Sequence, residues 1–192
     1  MSYLILNGMQ KDDTFIPNIE SLISDEFENR NITGETINLH EKEIKACLGC
    51  FKCWIQTPGE CIINDIARNI AKKMIRSDYL VYLSPIVYGG YSAELKKALD
   101  RSISLISPFF RVYHDEIHHE ERYDKYPKLL VIGTLPKSDA DQENIFTNLI
   151  ERNVLNNFAP KYISKVIFYS DEEASIKSKI EECFAIVGDE GV

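Results

Sequence analysis

Tyr79-Leu-Val-Tyr-Leu-Ser84-Pro85-Ile86-Val87-Tyr88-Gly89-Gly90-Tyr91-Ser92-Ala-Glu-Leu95-Lys-Lys-Ala-Leu-Asp100-Arg101 contains a strand, a turn and a helix in one stretch. Tyr79–Ser84 is a short apolar run, the pattern of a strand covered on both faces, and Pro85 stops it. Gly89-Gly90 marks a turn, and Ser92 is a residue type that caps helices. Leu95, Ala98, Leu99, Ile103 and Ile106 then recur on one face, which predicts a helix reaching Ile106.

The same alternation extends in both directions. Upstream, Tyr3–Asn7 is an apolar run ending at Gly8, and Ile16, Ile19, Leu22, Ile23 and Phe27 follow at helical spacing, with Pro17 in the first turn. Glu35–Leu39 is a weaker strand, and Ile66, Ile70, Met74 and Ile75 stripe a helix that Asn64 or Asp65 can cap. Downstream, Lys128–Gly133 and Tyr162–Phe168 read as strands. Ile145, Phe146, Leu149, Ile150 and Leu155 form one helical stripe, and Ile176, Ile180, Cys183, Phe184 and Val187 form another. Five strands alternating with five helices predict an α/β fold, a doubly wound parallel five-stranded sheet with helices on both faces. Right-handed crossovers leave few topologies, and the flavodoxin-like strand order 2-1-3-4-5 leads among them. A single domain over residues 1–192 is expected, with no repeat and no linker. Ser107–Pro127 is too long for an ordinary connection and is expected to be functional or an oligomer contact.

Composition narrows the function classes. The chain has 192 residues, 44% of them hydrophobic and 27% charged, which is ordinary globular composition. Lys and Arg number 22 against 30 Asp and Glu, a formal net charge of −8 that opposes nonspecific nucleic-acid binding. Lys72-Lys73 and Lys96-Lys97 read as solvated helix faces. No apolar run is long enough for a membrane span. Met1–Gly8 lacks a basic leader segment, so no signal peptide is expected and a cytoplasmic location is.

In a doubly wound sheet, ligands bind outside the carboxyl ends of the strands where the strand order reverses. Here those are the loops Gly8–Phe15 and Pro85–Ser92. The first feeds a helix N-terminus, whose free N–H groups favour a phosphate, with Lys11 and the Thr14 hydroxyl in reach; an ordinary polar connection is the alternative. The second offers apolar and aromatic surface and then two glycines, so backbone can approach a planar heterocycle while Tyr88 packs beside it. The alternative there is a tight turn in which Tyr88 fills the edge of the core.

Residues 84–101 resemble the isoalloxazine-binding loop and helix of the NADPH-dependent FMN reductase family, flavodoxin-like flavoproteins. Pro85, Tyr88, Gly89, Ser92, Leu95, Lys96, Asp100 and Arg101 match that family's pattern, and Val87 replaces its usual tyrosine. The family's phosphate loop falls on Tyr3–Phe15. Gly8, Thr14 and Phe15 fit it, Lys11 stands for its arginine, and Met9 and Ile16 each replace a polar residue. The resemblance implies FMN held by Gly8, Lys11, Thr14 and Phe15 at its phosphate. It places the ring at Pro85, Ile86, Val87, Tyr88, Gly89 and Gly90, with Gly133 and Thr134 as a third loop. A simple helix approach is the alternative for that last pair.

Four of the five cysteines fall within fifteen residues: Cys47, Cys50, Cys53 and Cys61. In a chain without an export signal such a cluster reads as metal or redox chemistry before structural disulfides. The segment resembles the compact motif of the iron–sulfur flavoproteins, in which four cysteines hold a 4Fe–4S cluster near the flavin. Two-residue gaps let three thiolates converge, and the fourth closes from beyond Pro58-Gly59. A structural zinc, free thiols and oxidised pairs are the other readings.

The remaining candidates carry less. His114, His118 and His119 with Glu116, Glu120 and Glu121 have helical two-histidine spacing but read as a solvated excursion at a subunit contact. Cys183 lies on an apolar stripe and reads as core. Trp54 is assigned to shielding a cluster, covering the flavin or meeting a partner. No catalytic side chain is expected, because the flavin carries the chemistry. The chain is expected to be an FMN-binding oxidoreductase passing electrons to a small acceptor or redox partner, with NAD(P)H as a donor and a dimer or tetramer as the assembly. The alternatives are a non-enzymatic electron carrier and a flavodoxin-like scaffold that has lost FMN.

Overall fold

The computed structural model describes residues 1–10, 19–113 and 115–188. Its main sheet has five parallel strands: β1 (Ser2–Asn7), β2 (Thr33–Asn38), β3 (Tyr79–Pro85), β6 (Lys128–Leu135) and β7 (Tyr162–Phe168), in the order β2-β1-β3-β6-β7. This is the 2-1-3-4-5 order expected from the sequence. The strand order reverses between β1 and β3, which pair directly from Tyr3↔Tyr79 to Asn7↔Leu83.

Side-chain alternation along β3 builds two cores. Leu80 and Tyr82 point to one face and pack with α3 (Ile66–Arg76), α4 (Ala93–Arg101) and α5 (Ala140–Asn157). Tyr79, Val81 and Leu83 point to the other, against α1 (Ile19–Asn29) and α6 (Glu173–Val187). Cys183 is fully buried there, and burial pushes its thiol up to about 12, so it is core as expected. Asp65 caps α3 by accepting from the Ala67 N–H at 3.1 Å. Ser92 caps α4 through the Leu95 N–H. The two lysine pairs are solvated, and each lysine sits in an ion pair: Lys72 with Glu60, Lys73 with Glu35, Lys96 with Asp100 and Lys97 with Glu94.

One expectation is corrected. The third predicted helix stops at Arg101, passes through a 3-10 turn at Ser102–Leu105 and becomes a strand at Ile106. Its β-branched residues Ile103 and Ile106 mimic helical spacing while favouring extended backbone. The Ser107–Pro127 excursion is largely an antiparallel hairpin of β4 (Ile106–Tyr113) and β5 (Glu116–Glu121). It lies beside the C-terminal half of α5, where Arg152 pairs with Glu116, and His118 lies 3.5 Å from Asn156. Gly89 packs on Ile145, about two turns before Arg152 and about 10 Å from it along the axis.

Candidate functional site

Three loops meet at the carboxyl ends of β1, β3 and β6. The Gly8 N–H donates to the Leu83 carbonyl at 2.7 Å, and the Ile86 N–H donates to the Thr134 carbonyl at 2.9 Å. The Thr134 hydroxyl reaches the Met9 sulfur at 3.6 Å, and Met9 N–H donates to Asn7 Oδ1. Asn7 is anchored in turn on Glu20 and Asn38. A Cβ at Gly8 would meet Ser92 Oγ at 2.6 Å and Leu95 Cβ at 2.9 Å, so only glycine lets the first loop sit against the start of α4. Of the flavin residues expected from sequence, Gly8, Pro85–Gly90, Gly133 and Thr134 are brought together here. Lys11, Thr14 and Phe15 lie outside the described residues.

The second loop is a tight turn. Val87 and Gly90 exchange two backbone hydrogen bonds of 2.9 Å, and Tyr88 and Gly89 between them have φ of 50° and 77°. Two consecutive positive φ values define a type I′ turn, which glycine accepts and tyrosine adopts at a cost of about 1 kcal/mol. The tip projects outward. Tyr88 is 92% exposed, whereas Ile86 is buried under it. Tyr88 thus does not fill the core edge; Ile86 does, packed where Gly133 leaves room. Thr134 is buried, so it supports the turn from below.

The cysteine segment lies at the opposite end of α4, about 14 Å from Ser92 along the helix axis. Gly49 and Phe51 both have positive φ, 60° and 54°, and they curl the chain between Cys47, Cys50 and Cys53. For a phenylalanine this backbone is strained, a condition that clusters at functional sites. Stacking of Phe51 on Trp54 at 5.1 Å offsets part of the cost. A short helix α2 (Lys52–Ile55) follows. Trp54 donates its indole N–H to the carbonyls of Ile103 and Ile106, and its ring meets His119 of the hairpin. Trp54 therefore anchors the segment on the hairpin's root.

Cys47, Cys50, Cys53 and Cys61 line one pocket with Leu48, Phe51 and Arg101. Cys47 and Cys50 are exposed, Cys61 is half-buried and Cys53 is buried. Burial first, then the nearby thiols of Cys61 and Cys47, push the Cys53 thiol up. Among the described residues no three His, Cys, Asp or Glu side chains stand close enough to hold a single metal ion. The four thiols ring a pocket and do not close on a point.

Arg101 was legible only as part of a family pattern, yet it organises this region. It is 1% exposed and grips both oxygens of Asp65 at 2.9 Å. It also donates to the carbonyls of Lys45 and Ile63, one on each side of the cysteines. Burial alone would raise the Asp65 pKa, but the Arg101 bonds and the Lys45 N–H outweigh it and hold the carboxyl below its ordinary range. Arg68 adds bonds to the carbonyls of Cys61 and Ile62. His118 and His119 lie on a strand and face opposite ways, so their spacing brings them to no common site, and His114 lies outside the described residues.

The sequence pattern of the NADPH-dependent FMN reductase family matches residues 1–116. The chain belongs to this family. It is similar to an iron–sulfur flavoprotein of Methanocaldococcus jannaschii, 42% identical over 71 residues that span 37% of this chain and 36% of that protein. Another iron–sulfur flavoprotein, from Methanosarcina thermophila, is 31% identical over 91 residues, 46% of this chain and 47% of that one. The match thus spans less than half the length of each relative. Among solved structures, an NAD(P)H:quinone oxidoreductase from Methanothermobacter marburgensis superposes with a TM-score of 0.69 at 11% identity, covering 95% of this chain and 93% of that one. An FMN-dependent NADH-azoreductase from Bacillus anthracis, in complex with FMN, gives 0.65 at 13% identity, covering 96% and 98%. At such identities the likeness is one of fold. No helix among the described residues is long and apolar enough to cross a membrane.

Proposed function

We propose that this member of the FMN reductase family is an FMN-binding oxidoreductase that carries a second redox group on its four clustered cysteines. The observation that carries the flavin reading is the convergence of Gly8–Met9, the Val87–Gly90 turn and the Thr134 end of β6 at the topological switch point. The residues fit the group. A rigid turn presents the Tyr88 and Gly89 backbone at the switch point with the exposed Tyr88 ring beside it, and Gly8 lets the first loop lie against the start of α4. Gly8, Lys11, Thr14 and Phe15 are assigned to the phosphate, and Pro85–Gly90 with Gly133 and Thr134 to the ring. Bound there, FMN supplies hydride and electron transfer, so the chain's task is to bind, orient and exclude water.

Cys47, Cys50, Cys53 and Cys61 line one pocket, and four cysteine thiolates are the donor set of a 4Fe–4S cluster. The names of the relatives support the same assignment. Cys47, Cys50, Cys53 and Cys61 would hold a 4Fe–4S cluster, which supplies one-electron chemistry. A quinone or similar small oxidant is the acceptor class and NAD(P)H the donor. Exposed Phe109, Phe110, Val112 and Ile117 on the hairpin support its reading as a contact between subunits of a dimer or tetramer, and a monomer in light scattering would refute that part.

The test is spectroscopic. Protein purified without oxygen and loaded with FMN should show the flavin's visible bands, and NAD(P)H should bleach them, with a quinone restoring them. Bands that NAD(P)H leaves untouched, and that only a reduced redox protein bleaches, would mark an electron carrier and not an enzyme.

A further inference from the structure

Arg101 occupies the buried stripe of α4, continuing Leu95 and Ala98. A charge in that position is tolerated only when its hydrogen-bonding capacity is met. Four bonds use its two terminal nitrogens, on Asp65, Lys45 and Ile63. Its Nε–H is buried with no hydrogen bond of normal geometry among the described residues, and the Cys61 thiol is a near neighbour of the guanidinium. The same guanidinium borders the pocket that the four cysteines line. Burial works against its charge, but Asp65 and the nearby Cys61 thiol outweigh that and raise its basicity.

We propose that Arg101 is a positioning residue of the cysteine pocket, clamping both flanks of the segment through its terminal nitrogens and offering its Nε–H to the anionic sulfur group held there. The inference rests on the iron–sulfur reading above. The clamp joins Lys45, two residues before the first cysteine, to Ile63, two residues after the last, so one side chain sets the width of the loop's mouth. The fork cannot be replaced by lysine, whose ammonium is a point charge unable to span both carbonyls and the carboxylate. A donor aimed at sulfur stabilises the more negative, reduced state of a sulfur-ligated group, so its loss lowers the reduction potential.

The 192-residue chain is reconstituted without oxygen using ferrous iron and sulfide. Iron and sulfide are then counted per folded chain after gel filtration, and the midpoint potential of the loaded group is read by spectroelectrochemistry. Wild type should load both elements. Arg101→Lys should load at least threefold less, and the fraction that loads should reduce at a lower potential. The double variant Arg101→Met, Asp65→Asn strands no buried charge and keeps a cap on α3, and it should show the same two deficits. Variants that load fully at an unchanged potential overturn the role of Arg101 and leave the iron–sulfur reading standing. A wild-type chain that takes up neither iron nor sulfide overturns both.

Discussion

The two ends of α4 are built in opposite ways. At its start the flavin crevice is made by backbone: strand ends, one type I′ turn, and carbonyl–amide bonds tying Gly8 to Leu83 and Ile86 to Thr134. At its finish the cysteine pocket is made by side chains. Arg101 and Arg68 hold carbonyls on its flanks, Asp65 anchors Arg101, and Trp54 pins the segment to the hairpin. Backbone bonds carry most of the first site, whereas the buried Arg101–Asp65 pair is the central tie of the second. The first should survive most single substitutions, and the second should fail at one.

The largest effect should come from Asp65→Ala. It leaves the Arg101 guanidinium buried without its carboxylate, which costs about 3–5 kcal/mol, read as a lower urea midpoint. Iron uptake should fall with it while FMN binding by the folded fraction persists. Loss of both ligands together would break the division between the two ends. Gly8→Ala tests the other end. Its Cβ would press on Ser92 and Leu95, a crowding that costs about 1–3 kcal/mol, and FMN affinity should drop while iron uptake is unchanged.

Acid should separate the sites in a graded way. The Asp65 pKa is depressed below its ordinary 3.8, so its contribution to stability is complete above that value. It is lost as pH falls through the lower folded value, where the unfolded chain has already taken up the proton. A series of urea midpoints from neutral to strongly acidic pH should therefore fall more steeply for wild type than for Arg101→Met, Asp65→Asn. Parallel curves would remove Asp65 from the account. The smallest effect on stability belongs to Tyr88→Ala. The ring is almost wholly exposed, so the unfolding free energy read from urea titration should change by no more than about 0.5 kcal/mol. FMN affinity should nevertheless fall about tenfold, the scale of one aromatic contact.

The contrast also explains what could be read from the amino acids. Apolar runs and helical spacing reflect burial against a sheet, so the five parallel strands, their order and the loops at the switch point were legible from residues such as Leu80–Leu83 and the Pro85–Ser92 turn. The cysteines were legible as a cluster by spacing alone. The hairpin was not, because Ile103 and Ile106 fall at helical spacing while the chain leaves the helix at Arg101. The Arg101–Asp65 pair was not legible either. The partners are 36 residues apart, and only the packing of α4 on α3 brings them together. The available signal was a charged residue in register with an apolar stripe, which in a folded chain demands a partner.

The central claim is that the crevice between Gly8, the Val87–Gly90 turn and Thr134 binds FMN. Titration of the purified 192-residue chain with FMN, followed by flavin fluorescence, tests it most directly. The account predicts quenching that saturates at one FMN per chain, and free-flavin fluorescence undiminished up to high micromolar FMN would contradict it.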